Sequence, residues 1–145
     1  RGPRLPGAPR AMGRLCGAGA VTRGASLLAL ALAGAAAAEG IPVPSGQPVE
    51  RIEVIEEAAP DGLVLRYRFL APEAGALEFE ARMADMAHLC DTVALPELRA
   101  AGQEPRRVVV SLSEKAVEFG VRDATVAQFF EAYTIGPERC IWEAF

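Results

Sequence analysis

His88 is the only histidine in this 145-residue chain, and a carboxylate stands three residues to either side of it, Asp85 before and Asp91 after. On a helix a spacing of three places side chains on one side. These residues could form a general base oriented by a carboxylate, or a metal site. Two or three ligands from one helix rarely hold a metal tightly, and no ligand from elsewhere in the chain can be named. The plainer reading is a solvated helix face. With a single histidine, most catalytic triads and zinc geometries are out of reach. The chain has no glycine-rich phosphate loop, no G-x-S-x-G, no H-E-x-x-H and no cysteine–histidine zinc spacing. The expectation is no cofactor and no bound metal, with His88, Asp85 and Asp91 the candidate catalytic residues of a protein that reads more as a non-enzyme.

Of the three cysteines, Cys16 falls in an N-terminal segment with the parts of an export signal. Arg14 and Arg23 supply positive charge, Ala25 to Ala38 is uncharged and alanine-rich, and Ala36-x-Ala38 offers a cleavage site. Those 14 apolar residues fall short of the roughly 20 that span a bilayer, so a stable membrane anchor is not expected. Glu39 stands where a lipoprotein signal would place its cysteine. Cys90 and Cys140 then remain as an even pair in an oxidising compartment, which reads as a disulfide. A buried free pair or a redox couple is the alternative, although the spacing is not C-x-x-C.

The expected organisation is an upstream or mis-started segment at 1–11, with Met12 the start, and a signal peptide at 12–38. An extended proline- and glycine-rich leader follows at 39–48, then a single α+β domain at 49–145. The protein is expected to be periplasmic or secreted after cleavage near Ala38. All 19 acidic residues lie at or beyond Glu39 and five of the 15 basic ones before it, so the mature chain of 107 residues carries a net charge of −9. Such a surface repels phosphate backbones and anionic headgroups, which argues against nucleic acid as a partner.

The elements that would position these residues follow from periodicity. Val49 to Ile55 and the alternation of Leu63, Leu65, Tyr67 and Phe69 predict a hairpin over 49–70, turned by Pro60-Asp61-Gly62. Arg66 and Arg68 would lie on its wet face, opposite Glu50, Glu53 or Glu57. Phe79, Met83, Met86, Cys90 and Val93, widened by Leu89, predict a helix closed by Pro96 with Cys90 facing the sheet. Val108, Val110 and Leu112 predict a third strand, opened at a sheet edge by Arg106-Arg107, and 116–119 a short fourth. Asp123 is expected to cap a second helix through Val126, Phe129 and Phe130. Glu131 to Ile135 and Cys140 to Phe145 would return to strand, the last buried on both faces and central. The fold class is therefore α+β: a largely antiparallel sheet with two helices on one face, one disulfide and a possible ferredoxin-like core. Six of the nine aromatics lie at or beyond Phe119 and are expected in the core rather than in an exposed patch.

Three segments, Asp85-Met86-Ala87-His88-Leu89-Cys90, Gln128-Phe129-Phe130-Glu131-Ala132-Tyr133 and Cys140-Ile141-Trp142-Glu143, give the chain its family resemblance. From Val43 to Phe145 it resembles a family of small exported bacterial proteins catalogued only as a domain of unknown function. The family implies no activity and no catalytic residues. Some relatives bear the label acetolactate synthase, which a mature chain of this length cannot support. The small ferredoxin-like regulatory subunit of such enzymes is the nearer comparison, and Ala71-Pro72-Glu73-Ala74-Gly75 echoes its glycine-containing loop only loosely.

The function expected is thus a non-catalytic binding or structural module whose partner is a periplasmic protein or a small ligand, working as a monomer or small oligomer. The alternatives are a small hydrolase or metal- or ligand-binding enzyme centred on His88, and a regulatory ligand-binding subunit of a metabolic enzyme.

Overall fold

The computed structural model describes residues 40–144. Residues 1–39, and with them the upstream segment, the export signal and its cleavage site, lie outside the described residues, as does Phe145. Five strands form one sheet in chain order: β1 (Glu50–Ala59), β2 (Gly62–Leu70), β3 (Arg107–Ser113), β4 (Gln128–Ile135) and β5 (Cys140–Trp142). All neighbours are antiparallel except β2 and β3, which run parallel. A parallel pair needs a crossover, and a helical run between the two strands supplies it. That run consists of α1 (Phe79–Leu89), a π-helical turn at Cys90–Ala94 and α2 (Leu95–Ala101).

The hairpin forms as its residues require, with Ala59 opposite Gly62 across Pro60-Asp61. Leu65, Tyr67 and Phe69 face the helical run together with Val108, Val110 and Leu112 of β3, their register partners, and Tyr133 of β4. Met86, Leu89, Cys90, Ala94 and Leu98 fill the core from above. Each large apolar side chain buried there contributes about 1.5–3 kcal/mol. The leader docks on the same core through Val43, with Ile41 packed against it, and Val49 just beyond the leader is buried there too.

Several expectations change. Pro96 does not close the helix but sits in the first turn of α2. Proline lacks an N–H and its ring crowds the carbonyl four residues back; a π turn immediately before it widens the ladder where that conflict would fall. The helix instead ends on Gly102, at φ 61°, with Gln103 donating back to Leu98 and Gly102 to Arg99 in a Schellman motif. Phe79, at the start of α1, is exposed, and from the end of the π turn onward the buried residues are Ala94, Leu95 and Leu98.

Residues 123–130 hold no helix. The Asp123 carboxylate instead accepts from the backbone N–H and hydroxyl of Thr125, at 2.8 and 2.6 Å, and closes a turn. Phe129 and Phe130 then enter β4, where their aromatic rings suit a pleated surface. Residues 116–119 form loop, not strand. The observed order, sequential with one crossover, differs from a ferredoxin-like core. Nor does Arg107 open an edge strand: β3 is central, and Arg107 pairs with Glu143 at 2.6 Å while Arg106 pairs with Asp61 at 2.8 Å. The last strand, expected to be central, lies at an edge, as β1 does at the other, with Ile141 and Trp142 about half exposed.

Candidate functional site

On the helix face the predicted residues separate instead of converging. Asp85, in mid-α1, has no solvent exposure. Its carboxylate accepts from the Ser45 N–H at 2.8 Å, the Ser45 hydroxyl at 2.6 Å and the Gln47 side-chain amide at 2.7 Å. A buried carboxylate needs such donors, and here they pin the leader to the helix. Asp91 accepts from the Cys140 N–H at 2.7 Å, directly beside the Cys90–Cys140 disulfide, whose Cα atoms are 6.1 Å apart. The half-buried His88 ring makes no hydrogen bond to either carboxylate among the described residues, and its carbonyl accepts from the Thr92 hydroxyl at 2.8 Å. No group of three or more metal-ligating side chains occurs among the described residues.

Two tyrosines stand out on this face. Burial, then the Glu97 carboxylate, pushes the Tyr67 phenol up to about 12. Burial and the Glu131 and Asp91 carboxylates raise Tyr133 further, and its hydroxyl is buried with no partner. Both are buried in the core between the helical run and the sheet.

The opposite face of the sheet carries the opening. The 14 residues between β3 and β4 leave the sheet and return to it as a compact loop. Its ends are tied by Glu114 N–H to Ala127 carbonyl at 3.2 Å and by Ala127 N–H to the Glu114 carboxylate at 3.3 Å. Loops of this length without regular structure are uncommon in small domains and are usually functional. Between the loop and the sheet lies a cavity of about 580 Å³, within the range of small-molecule sites.

Strand alternation explains its floor. Residues facing away from the helix at this place are Arg66 and Arg68 of β2, Val109 and Ser111 of β3, and Gln128 and Phe130 of β4. The loop adds Phe119, Val121 and Val126, with Glu118, Arg122 and Asp123 exposed at the rim.

The charges are unevenly placed. Arg68, at 6% exposure, is held by Glu53 and by the Val117 carbonyl, and its guanidinium lies 5.7 Å from the centre of the Phe119 ring. Thus Arg68 is not on a wet face, because the loop folds over it. Arg66 is bound by Glu57 through Nε alone, which leaves the terminal edge of its guanidinium without a partner among the described residues. The Ser111 hydroxyl, on a residue 6% exposed, likewise makes no hydrogen bond among them. Hydrogen bonds from Thr125 hold the rim carboxyl of Asp123 below the usual carboxylate range. Phe119, Val121 and Phe130 are each about half exposed, so the C-terminal aromatics are not all core.

Sequence reasoning missed this site. It recognised Arg66 and Arg68 as a pair on one face but set them in solvent, and it read the loop's far end as helix. The available signal was two strand patterns separated by a long stretch holding Gly120, Asp123 and an aromatic.

Residues 25–145 match the family described as "Family of unknown function (DUF6497)". No curated protein and no solved structure matches the chain.

Proposed function

The chain belongs to the DUF6497 family, and from that premise we propose that it is an exported, non-catalytic binding module. Its ligand would occupy the cavity between the sheet and the loop over 114–127. The cavity carries the reading: it is roomy, partly apolar, and walled by polar groups with unused hydrogen-bonding capacity. Export is supported by the signal-like segment ending near Ala38 together with the Cys90–Cys140 bridge, which suits an oxidising compartment. A non-catalytic role is supported by the employment of Asp85 and Asp91, both of which already accept hydrogen bonds that hold the leader and β5 in place.

Two measurements test the two halves. Intact mass of protein from its native host should begin at Glu39 and be two hydrogens light until reduced. A mass retaining the alanine-rich segment, with free thiols, would overturn export. For binding, the neutral dye Nile red should show saturable fluorescence enhancement that disappears in Ser111→Phe, which fills the cavity floor, with the melting temperature held as control. Absence of saturable enhancement in the folded wild-type chain would overturn the cavity as a binding site.

A further inference from the structure

We infer that the cavity takes an amphipathic organic carboxylate, its head on Arg66 and its apolar body between Phe119 and Phe130. The inference rests on the binding reading above and adds the ligand's chemistry. Buried residues and rim residues differ in kind. The two charged groups on the cavity floor, the buried Arg68 and the partly exposed Arg66, are both guanidinium donors, whereas Glu118 and Asp123 are exposed at the rim, beside Arg122. A guanidinium only donates.

Arg66 uses Nε on Glu57 and has two terminal nitrogens left, the edge that a carboxylate engages through two parallel hydrogen bonds. Ser111, buried and unpartnered among the described residues, lies on the neighbouring strand, where Val109 is the register partner of Arg66 and Ser111 that of Arg68. It offers a third donor. Both arginines are ion-paired, Arg66 with Glu57 and Arg68 with Glu53, so what would select a carboxylate is the unpartnered guanidinium edge of Arg66 beside the Ser111 hydroxyl on one sheet face.

The rest of the wall is apolar. Val109 and Val126 are buried, and Phe119 and Phe130 expose about half their surface around the opening. Apolar walls with a few convergent polar groups describe a small-molecule site, and an inorganic anion would leave the aromatic walls in water. An aliphatic or aromatic body of modest length satisfies both ends.

Titration with three probes that share an eight-carbon chain, octanoate, octanol and octyltrimethylammonium, followed by amide shifts of the folded chain, tests the assignment. Octanoate should bind saturably and shift residues 109–111, 118–124 and 128–130. Arg66→Gln should weaken it at least tenfold with the fold intact by circular dichroism. Glu57→Gln, which removes the competing carboxylate, should tighten it severalfold and leaves the test standing if Arg66→Gln fails to fold. Equal binding of octanol or of the cation, or octanoate binding unchanged in both variants, would overturn the carboxylate assignment. So would a failure of octanoate to bind while Nile red saturates, and in that case the binding reading survives; failure of both ligands removes both.

Discussion

At the residue scale, the sequence presents Asp85, His88 and Asp91 as one cluster, and the fold gives them separate work. Asp85 lies where three donors from Ser45 and Gln47 converge on a carboxylate with no access to water. Removing the acceptor strands buried donors, so Asp85→Ala should cost about 3 kcal/mol in urea unfolding. His88→Ala, which breaks no side-chain bond, should stay within about 0.5 kcal/mol. Reversed magnitudes would restore His88 to prominence. Tyr67 supplies a test of a different kind. Its folded value is raised from 10.0 to about 12, so the unfolded chain ionises first. Stability is full below pH 10 and declines between about 10 and 12, and Tyr67→Phe should flatten that decline in stability measured against pH. Spacing showed that Asp85 and Asp91 lie on one helix. That they accept bonds from residues 40 and 49 positions away depends on which segments pack against that helix, and a local period carries no such information.

At the element scale, the π turn and the disulfide do the most to set the architecture. Pro96 follows the widened turn, where its missing N–H conflicts with nothing, so Pro96→Ala should change stability by less than about 1 kcal/mol. A loss near 3 kcal/mol would mean that the proline itself sets the turn. The Cys90–Cys140 bridge ties the turn to the sheet edge across a separation of 50 residues. The chain-entropy relation for such a loop gives about 4 kcal/mol, and the Cys90→Ser/Cys140→Ser pair should lose most of that in urea unfolding. The bridge was legible in the sequence because only two of the three cysteines, Cys90 and Cys140, lie beyond the signal-like N-terminal segment. The second helix was misread because Asp123 suits a helix cap and an Asx turn equally well. What decided between them was the edge of β3, which pairs with Phe129 and Phe130 and was out of view of any local window.

At the scale of the whole molecule, a three-layer arrangement emerges of helical run, sheet and covering loop, and the two faces of the sheet have different duties. The helix face holds the core, the leader clamp and the disulfide; the other face holds the cavity. Trp142, the only tryptophan, sits on edge strand β5 beside Cys140 and donates to Glu131 at 2.7 Å. With the bridge intact, its fluorescence and the far-ultraviolet circular dichroism should follow one urea transition. After reduction the Trp142 transition should come first, since β5 is then held by a short edge pairing, the Asp91 hydrogen bond and the Arg107–Glu143 ion pair alone; coincident curves would show that the bridge is not what retains β5. By itself the sequence determined what depends on neighbours in the chain: the hairpin over 49–70, the strand at Val108 to Leu112, the apolar stripe of α1 and the identity of the bridging cysteines. Side-chain period and turn chemistry act over a few residues, and they suffice for those features. Only the tertiary structure decided that β3 is central and β5 an edge, that Arg68 is buried, and that a loop stands off the sheet to leave a cavity beside Arg66. Those are outcomes of which distant backbone edges pair and which faces remain uncovered, and contacts made across 15 to 50 residues leave no period for the sequence to display.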